Sequence, residues 1–366
     1  MAVVGHAAGR AWCLMIVIGV DPHKSTHTAT AVDSGTNKDL GSLRISADLN
    51  SYRELIKWAG QWPERIWAVE NASGLGHHLT QWLVSQAEAV VDVPATATAR
   101  VRELSRGGRR KNDRIDAAAA ACVAFSQGDF RPVGAEKHSD GLRVLDERRI
   151  DLVRHKGRLT NQLHALLREL LPGGLDRAFT TEEASDALRR LAPASGADAM
   201  RKEVGLAIVG DLRRLRFQID DITTRIEVEL KASGTSLLEI EGVGTVTACR
   251  ILSRTGDPAR FRDQSAFASY AGTAPIEVAS ADKQRHRGLP LEGDRSLNAA
   301  IYIVAVTQSR MAGSAGNAYY RRKLDEGKTS REAIRCLKRQ IAKRLWRTMI
   351  SDAGEAADGY CSVSAC

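Results

Sequence analysis

Four carboxylates are spaced so that they could act together on a phosphate. Asp21 closes the apolar run Met15–Val20, and Glu70 closes a second short run, Arg65–Val69. Asp113 and Asp116 stand three apart at the start of an alanine-rich stretch, so a helix there places both on one face. Four such groups gathered in one place repel strongly unless cations sit among them. Oxygen ligands of this hardness suit Mg²⁺ or Mn²⁺, and two such ions can assist an in-line displacement at phosphorus. Each acid has a plainer use when taken alone. Asp21 before Pro22 suits a turn, Glu70 can pair with an arginine, and acids in a first helical turn are favoured by the helix dipole. Their joint occurrence with the basic loop 106–111 favours the metal.

The elements that would position these acids follow from hydrophobic patterning. Strands are expected at 15–20, 26–32 and 40–45, then an amphipathic helix at 48–60 with Leu49, Tyr52, Leu55, Ile56 and Ala59 on one face. Strands at 65–69 and 89–93 alternate with helices at 74–86, 96–105 and 113–126. Three strands followed by alternating helices and strands describe an α/β layer with a mixed sheet. This is the element order of a ribonuclease-H-like domain over 15–130, with Asp21 and Glu70 on neighbouring strand ends.

Beyond it, Leu145, Leu152, Leu159 and Leu166 recur every seven residues, broken on the companion seam by Arg149 and Lys156. Ile208, Leu212, Leu215, Ile219, Ile222 and Ile226 step by four and three. Two long helices separated by the Gly/Ala/Ser/Pro-containing stretch 172–200 suggest an antiparallel coiled-coil arm over 141–232; periodicity alone fits two helices of an ordinary bundle equally well. Residues 236–350 read as a mainly α-helical module. It opens with a helix–hairpin–helix-like turn at Gly242-Val243-Gly244, continues through a polar loop region at 271–298, and ends in a helix at 330–350. Arg331, Arg335, Lys338, Arg339, Lys343, Arg344 and Arg347 on that last helix favour a face turned to nucleic acid. Residues 1–14 are expected to be disordered, with Met15 an alternative start, and 351–366 to form a tail.

The 366-residue chain carries 53 Lys and Arg against 44 Asp and Glu, a net charge of +9, and has a pI near 9.4. That excess suits a polyanion, and nucleic acid more than membrane because no strongly apolar interfacial face accompanies it. The six cysteines are scattered without a Cys-x-x-Cys pair, as in a reduced cytoplasmic protein and unlike a disulfide frame or zinc site. No run approaches the roughly 18 apolar residues of a membrane span, and the N-terminal apolar run passes into Asp21 without a signal-type cleavage site.

Asp21-Pro22-His23-Lys24, Val69-Glu70-Asn71 and Lys111–Ala117 (KNDRIDA) resemble the three acidic motifs of the IS110 family of insertion-sequence transposases. The likeness continues through Gly242-Val243-Gly244, Tyr270–Ser280 (YAGTAPIEVAS), Ala318-Tyr319-Tyr320 and Lys323–Thr329 (KLDEGKT), so it spans roughly 15–350 in order. The resemblance implies a RuvC-like DEDD domain whose metal ligands are Asp21, Glu70, Asp113 and Asp116, a coiled-coil region, and a C-terminal transposase domain with a serine nucleophile. Ser280 occupies the matching position. It also implies double-stranded DNA at element ends and target as substrate, a structured element-encoded guide RNA as partner, and a homodimer or tetramer for synapsis. The segment Arg285–Arg295 departs from the family pattern: Pro290 and Glu292 lower the positive charge that relatives carry there. Two rivals are a junction-type endonuclease using the four acids alone, and a decayed element that only binds nucleic acid.

Overall fold

Val17, Ile18 and Val20 have no exposed surface, and the strand they build, Ile16–Pro22 (β1), is the middle of a five-stranded sheet. Apolar residues on both faces of a strand require cover on both sides. β1 turns back as Thr26–Asp33 (β2), which turns again into Lys38–Ser46 (β3), all antiparallel. Leu49–Ala59 (α1) then carries the chain over to Arg65–Glu70 (β4), parallel to β1, and His77–Ser85 (α2) carries it to Val90–Val93 (β5), parallel to β4. The order β3-β2-β1-β4-β5 with these directions is the ribonuclease H arrangement. The structure, a computed structural model, describes residues 15–104, 112–127, 132–176, 178–274, 276–280, 283–287 and 293–363. The expected disordered N-terminus 1–14 and the basic loop 106–111 lie outside these.

One face of the sheet packs Ile18, Val20, Trp67 and Val69 under Tyr52 and Leu55 of α1 and Leu79 and Leu83 of α2. The other packs Val17, Ala68, Val91 and Val93 under Ala95–Leu104 (α3) and Asp113–Gln127 (α4). Among the described glycines of this unit, the one with least room for a side chain faces that second side. A Cβ built on Gly19 would lie 1.9 Å from the Ala117 carbonyl oxygen and 2.7 Å from the Ala121 nitrogen. Glycine on the strand and alanines on the helix therefore let α4 rest directly on β1.

The chain separates into two compact units, Met1–Glu136 and Lys137–Cys366. In the second, His138–Leu170 (α5) and Gly196–Ala232 (α7) run antiparallel: His138 meets Glu229 at one end and Arg201 meets Glu169 at the other. The break at Arg149 is answered by its Nε donating to Thr223 Oγ1 at 3.2 Å. The stretch 172–200, expected as a plain connection, holds a helix, Thr181–Arg190 (α6), whose Ala184 and Leu188 pack with Leu163, Leu167, Ile208 and Leu212. Thr180 and Glu183 close its capping box, a local signal that the heptad reading passed over.

The other half of the pair shares one core with the C-terminal helices, so the expected boundary at 232–236 is a turn within that core. Leu142, Leu152, Ile222 and Ile226 join Ile251 of Thr245–Thr255 (α8), Phe267 of Gln264–Tyr270 (α9), Ile301 and Val304 of Arg295–Arg310 (α10), and Leu337 and Leu345 of Ser330–Val363. Ala315–Asp325 is α11 and Ser330–Val363 is α12. The expected tail is corrected: α12 continues past Ile350 to Val363. Asp352 accepts hydrogen bonds from the Thr235 hydroxyl and from both the backbone and hydroxyl of Ser236. The helix–hairpin–helix-like turn has a 3₁₀ turn, Leu237–Glu239, in place of its first helix. The expected polar loop 271–298 contains a hairpin, Ile276–Ser280 (β6) with Lys283–Arg287 (β7).

Replacing Gly19 by Ala should lift α4 off the sheet. Urea unfolding should show a loss of at least about 1–3 kcal/mol, the usual cost of overpacking, and the same change at the exposed Gly196, which meets nothing within 4 Å, should cost far less.

Candidate metal centre and the serine hairpin

Equal steps away from the Gly19 contact bring two of the four acids together. From Ala117 back to Asp113 is one helical turn, a rise of about 6 Å. From Gly19 on to Asp21 is two strand residues, about 6.6 Å. The ligand atoms of Asp21, His23 and Asp113 all lie within 4.8 Å of one another. Asp21 is buried and Asp113 half-buried. Asp113 also faces Arg44 of β3, with Nη1 to Oδ2 at 3.2 Å. The next residue, Arg114, forks onto Asp39 at 2.8 and 2.9 Å, and its carbonyl accepts from Thr30 Oγ1. These ties hold the first turn of α4 to the sheet.

Glu70 and Asp116 are placed nearby but are not part of that group of three. Parallel pairing of Val20 with Val69 sets Glu70 at the strand end next to Asp21. Asp116, 4% exposed, sits one turn into α4. The member that sequence reasoning missed is His23. Its signal was present, since residues two apart in extended chain share a face. His23 Nδ1 lies 3.6 Å from Asp21 Oδ2 and is shielded from solvent without a hydrogen-bond partner. Two carboxylates and an inward, unpartnered imidazole nitrogen form a donor set that fits a divalent cation.

Behind the site, His27 on β2 is buried and shares a hydrogen bond with the Tyr52 hydroxyl at 3.1 Å. Burial, with His23 and His78 nearby, lowers its pKa below the usual histidine value.

Two family models match the chain. One, a transposase model named for the DEDD acids of IS110, matches residues 18–172, and the other, described as the transposase IS116/IS110/IS902 family, matches 234–321. The chain belongs to the IS110 family of insertion-sequence transposases. The insertion element IS116 protein of Streptomyces clavuligerus is 26% identical over 90% of this chain and 94% of its own length. The putative mini-circle transposase for IS117 of Streptomyces coelicolor is 26% identical over 86% and 89%. A solved Thermus thermophilus RuvC with a Holliday junction shows a slight likeness, with 14% identity and a TM-score of 0.26 over 32% of this chain and 99% of that one. Strand order, not that comparison, identifies the N-terminal fold.

In the C-terminal unit of this IS110-family transposase, Ser280 ends β6, in register with Lys283 of β7, so it stands beside the hairpin turn. The described chain on either side of the hairpin is tied down. Before it, Asn298 Nδ2 donates to the carbonyls of Ala271 and Gly272, each at 2.8 Å, while Lys338 Nζ donates to Asn298 Oδ1 at 2.7 Å. After it, the Asp294 backbone donates to the Tyr270 carbonyl, and its carboxylate caps α10 and pairs with Arg254 at 2.7 Å. Gly293, at φ +111, passes so close to Tyr270 that a Cβ would lie 2.8 Å from its carbonyl oxygen. Lys338 therefore corrects the expected basic face of α12. It is 4% exposed, burial lowers its pKa, and it serves the interior, while Arg331, Arg335, Arg344 and Arg347 remain exposed. Part of the departing segment, 288–292, lies outside the described residues. Among the described residues, no helix is long and apolar enough to cross a membrane.

Two outcomes follow from these placements. A histidine held neutral in the fold but free to protonate when unfolded gives stability that is complete above the unfolded pKa of about 6.5 and declines as pH falls below it. A His27→Gln protein should show a shallower loss of unfolding free energy between about pH 6.5 and 5 than wild type. Asn298→Ala leaves two carbonyls and a buried ammonium without their partner. It should cost about 2–3 kcal/mol in urea unfolding and speed amide exchange across β6 and β7.

Proposed function

We propose that this transposase cuts and rejoins DNA strands with a divalent-metal site on Asp21, Glu70, Asp113 and Asp116 and with Ser280 as nucleophile, guided by an element-encoded RNA. The observation that carries the metal reading is the meeting of Asp21 and Asp113 within ligand range, produced by the seating of α4 on Gly19. Bound there, Mg²⁺ or Mn²⁺ would supply positive charge to offset the charge developing on a phosphodiester. Asp21 and Asp113 would hold that charge in place. Glu70 and Asp116 would complete the ligand set around it.

Ser280 Oγ would give up its proton, form an ester bond to phosphorus and break one P–O bond, releasing one strand with a hydroxyl end. A hydroxyl from another strand would then attack the same phosphorus and expel Ser280 Oγ, which regains a proton. Phosphodiester bonds are conserved in number, so no energy source is needed. The ties at 270–272 and 293–298 support this role by anchoring the chain on either side of the hairpin that carries Ser280. The basic excess and the exposed arginines of α12 suit DNA and RNA backbones. Synapsis of two DNA sites calls for a homodimer or tetramer.

The test is a trapping experiment with the whole protein, its element-encoded RNA, labelled element-end DNA and Mg²⁺ or Mn²⁺. After denaturation, wild type should carry a covalent DNA adduct and Ser280→Ala none. Asp21→Asn or Asp113→Asn should lower cleavage by more than about a hundredfold, the scale of losing one electrostatic contact in a transition state, with folding unchanged or improved. Full cleavage by Ser280→Ala would instead identify an endonuclease that uses the acids alone. DNA binding without any strand cleavage would identify a decayed, binding-only protein.

A further inference from the structure

We propose that His23 is itself a metal ligand, making a mixed oxygen–nitrogen site with Asp21 and Asp113 that favours Mn²⁺ over Mg²⁺. This rests on the metal reading above and adds a residue outside the four acids. Half of the imidazole is open to solvent, with 43% of the side chain exposed, yet its Nδ1 is the edge turned inward and sealed from water. That nitrogen is 3.6 Å from Asp21 Oδ2, too far for a hydrogen bond, and a ring nitrogen of His23 lies within 4.8 Å of a carboxylate oxygen of Asp113 as well. A polar nitrogen withdrawn from water without a partner is unfavourable. A cation among the three atoms removes that penalty.

The backbone fixes the ring where a ligand would be needed. Asp21 and Pro22 are held in register with Thr28 and His27, and the His23 amide donates to the Thr26 carbonyl at 2.8 Å, closing the turn. Two carboxylates and a neutral imidazole carry a combined charge that one divalent cation cancels. Mg²⁺ is a hard ion that keeps oxygen ligands and water, whereas Mn²⁺ accepts an imidazole nitrogen more readily. The rival arrangement is a protonated His23 paired with Asp21, with no metal–nitrogen bond.

Electron spin-echo spectroscopy separates the two. Full-length protein loaded with substoichiometric MnCl₂ should show the ¹⁴N coupling of a coordinated imidazole, and His23→Gln should lose it. Calorimetric titration of the same variant should give Mn²⁺ affinity lowered by at least roughly tenfold, the cost seen for losing even an outer-sphere partner, with Mg²⁺ affinity much less affected. An unchanged thermal unfolding midpoint would show that the variant is folded. Mn²⁺ bound without nitrogen coupling, or coupling that survives His23→Gln, would overturn the role of His23 and leave the metal site standing. Failure of wild type to bind Mn²⁺, or binding indifferent to Asp21→Asn and Asp113→Asn, would overturn the metal site itself.

Discussion

Contact between the backbone of α4 and Gly19 is the constraint on which the N-terminal unit depends. Helices normally rest on sheets through side chains, with the backbones held apart. Here a missing side chain on the strand and short ones on the helix bring backbone against backbone. Glycine weakens a strand interior, and β1 tolerates it because β2 and β4 flank it on both sides. The alanines of α4 are therefore a fitted surface, with Ala117, Ala120 and Ala121 fully buried. The first turn of the helix then has one available position, beside the end of β1.

That position places negative charge in a tight space, and the neighbouring residues are arranged around it. Arg44 of β3 reaches Asp113 in the first turn of α4, and Arg114 in that turn reaches Asp39 of β3, so the helix start is electrostatically tied even without an ion. The C-terminal unit solves a different problem. Its hairpin is short and marginal by itself, and the chain before and after it, at 270–272 and 293–298, is tied to the neighbouring helices through Asn298, Lys338, Asp294 and Arg254. A charged lysine is an expensive interior residue unless partnered, and its partner amide spans two consecutive carbonyls before the hairpin.

Much of the N-terminal fold was readable because strands of alternating or continuous apolar residues and a helix with a single greasy face each leave a local trace. Asp21 and Glu70 could be placed side by side from strand order alone. His23 left only its two-residue step from Asp21, because its role depends on which ring edge turns inward, which the turn closed by Thr26 decides. The hairpin β6–β7 was also hidden: its strands are only five residues long and β7 is wholly polar. Lys338 misled for a related reason. On a helix rich in arginine it reads as one more surface charge, and only the approach of α10 shows that it faces inward.

Asp352 has a topological consequence. By gripping Thr235 and Ser236 from within α12, it brings the two ends of the stretch together, so residues 235–352 form a loop of chain closed in space. Closing so long a loop carries an entropic cost that rises only slowly with its length, while the closure makes the segment a unit with adjoining ends. The stretch holding the serine hairpin thus has its two ends pinned together, while its core stays joined to α5 and α7.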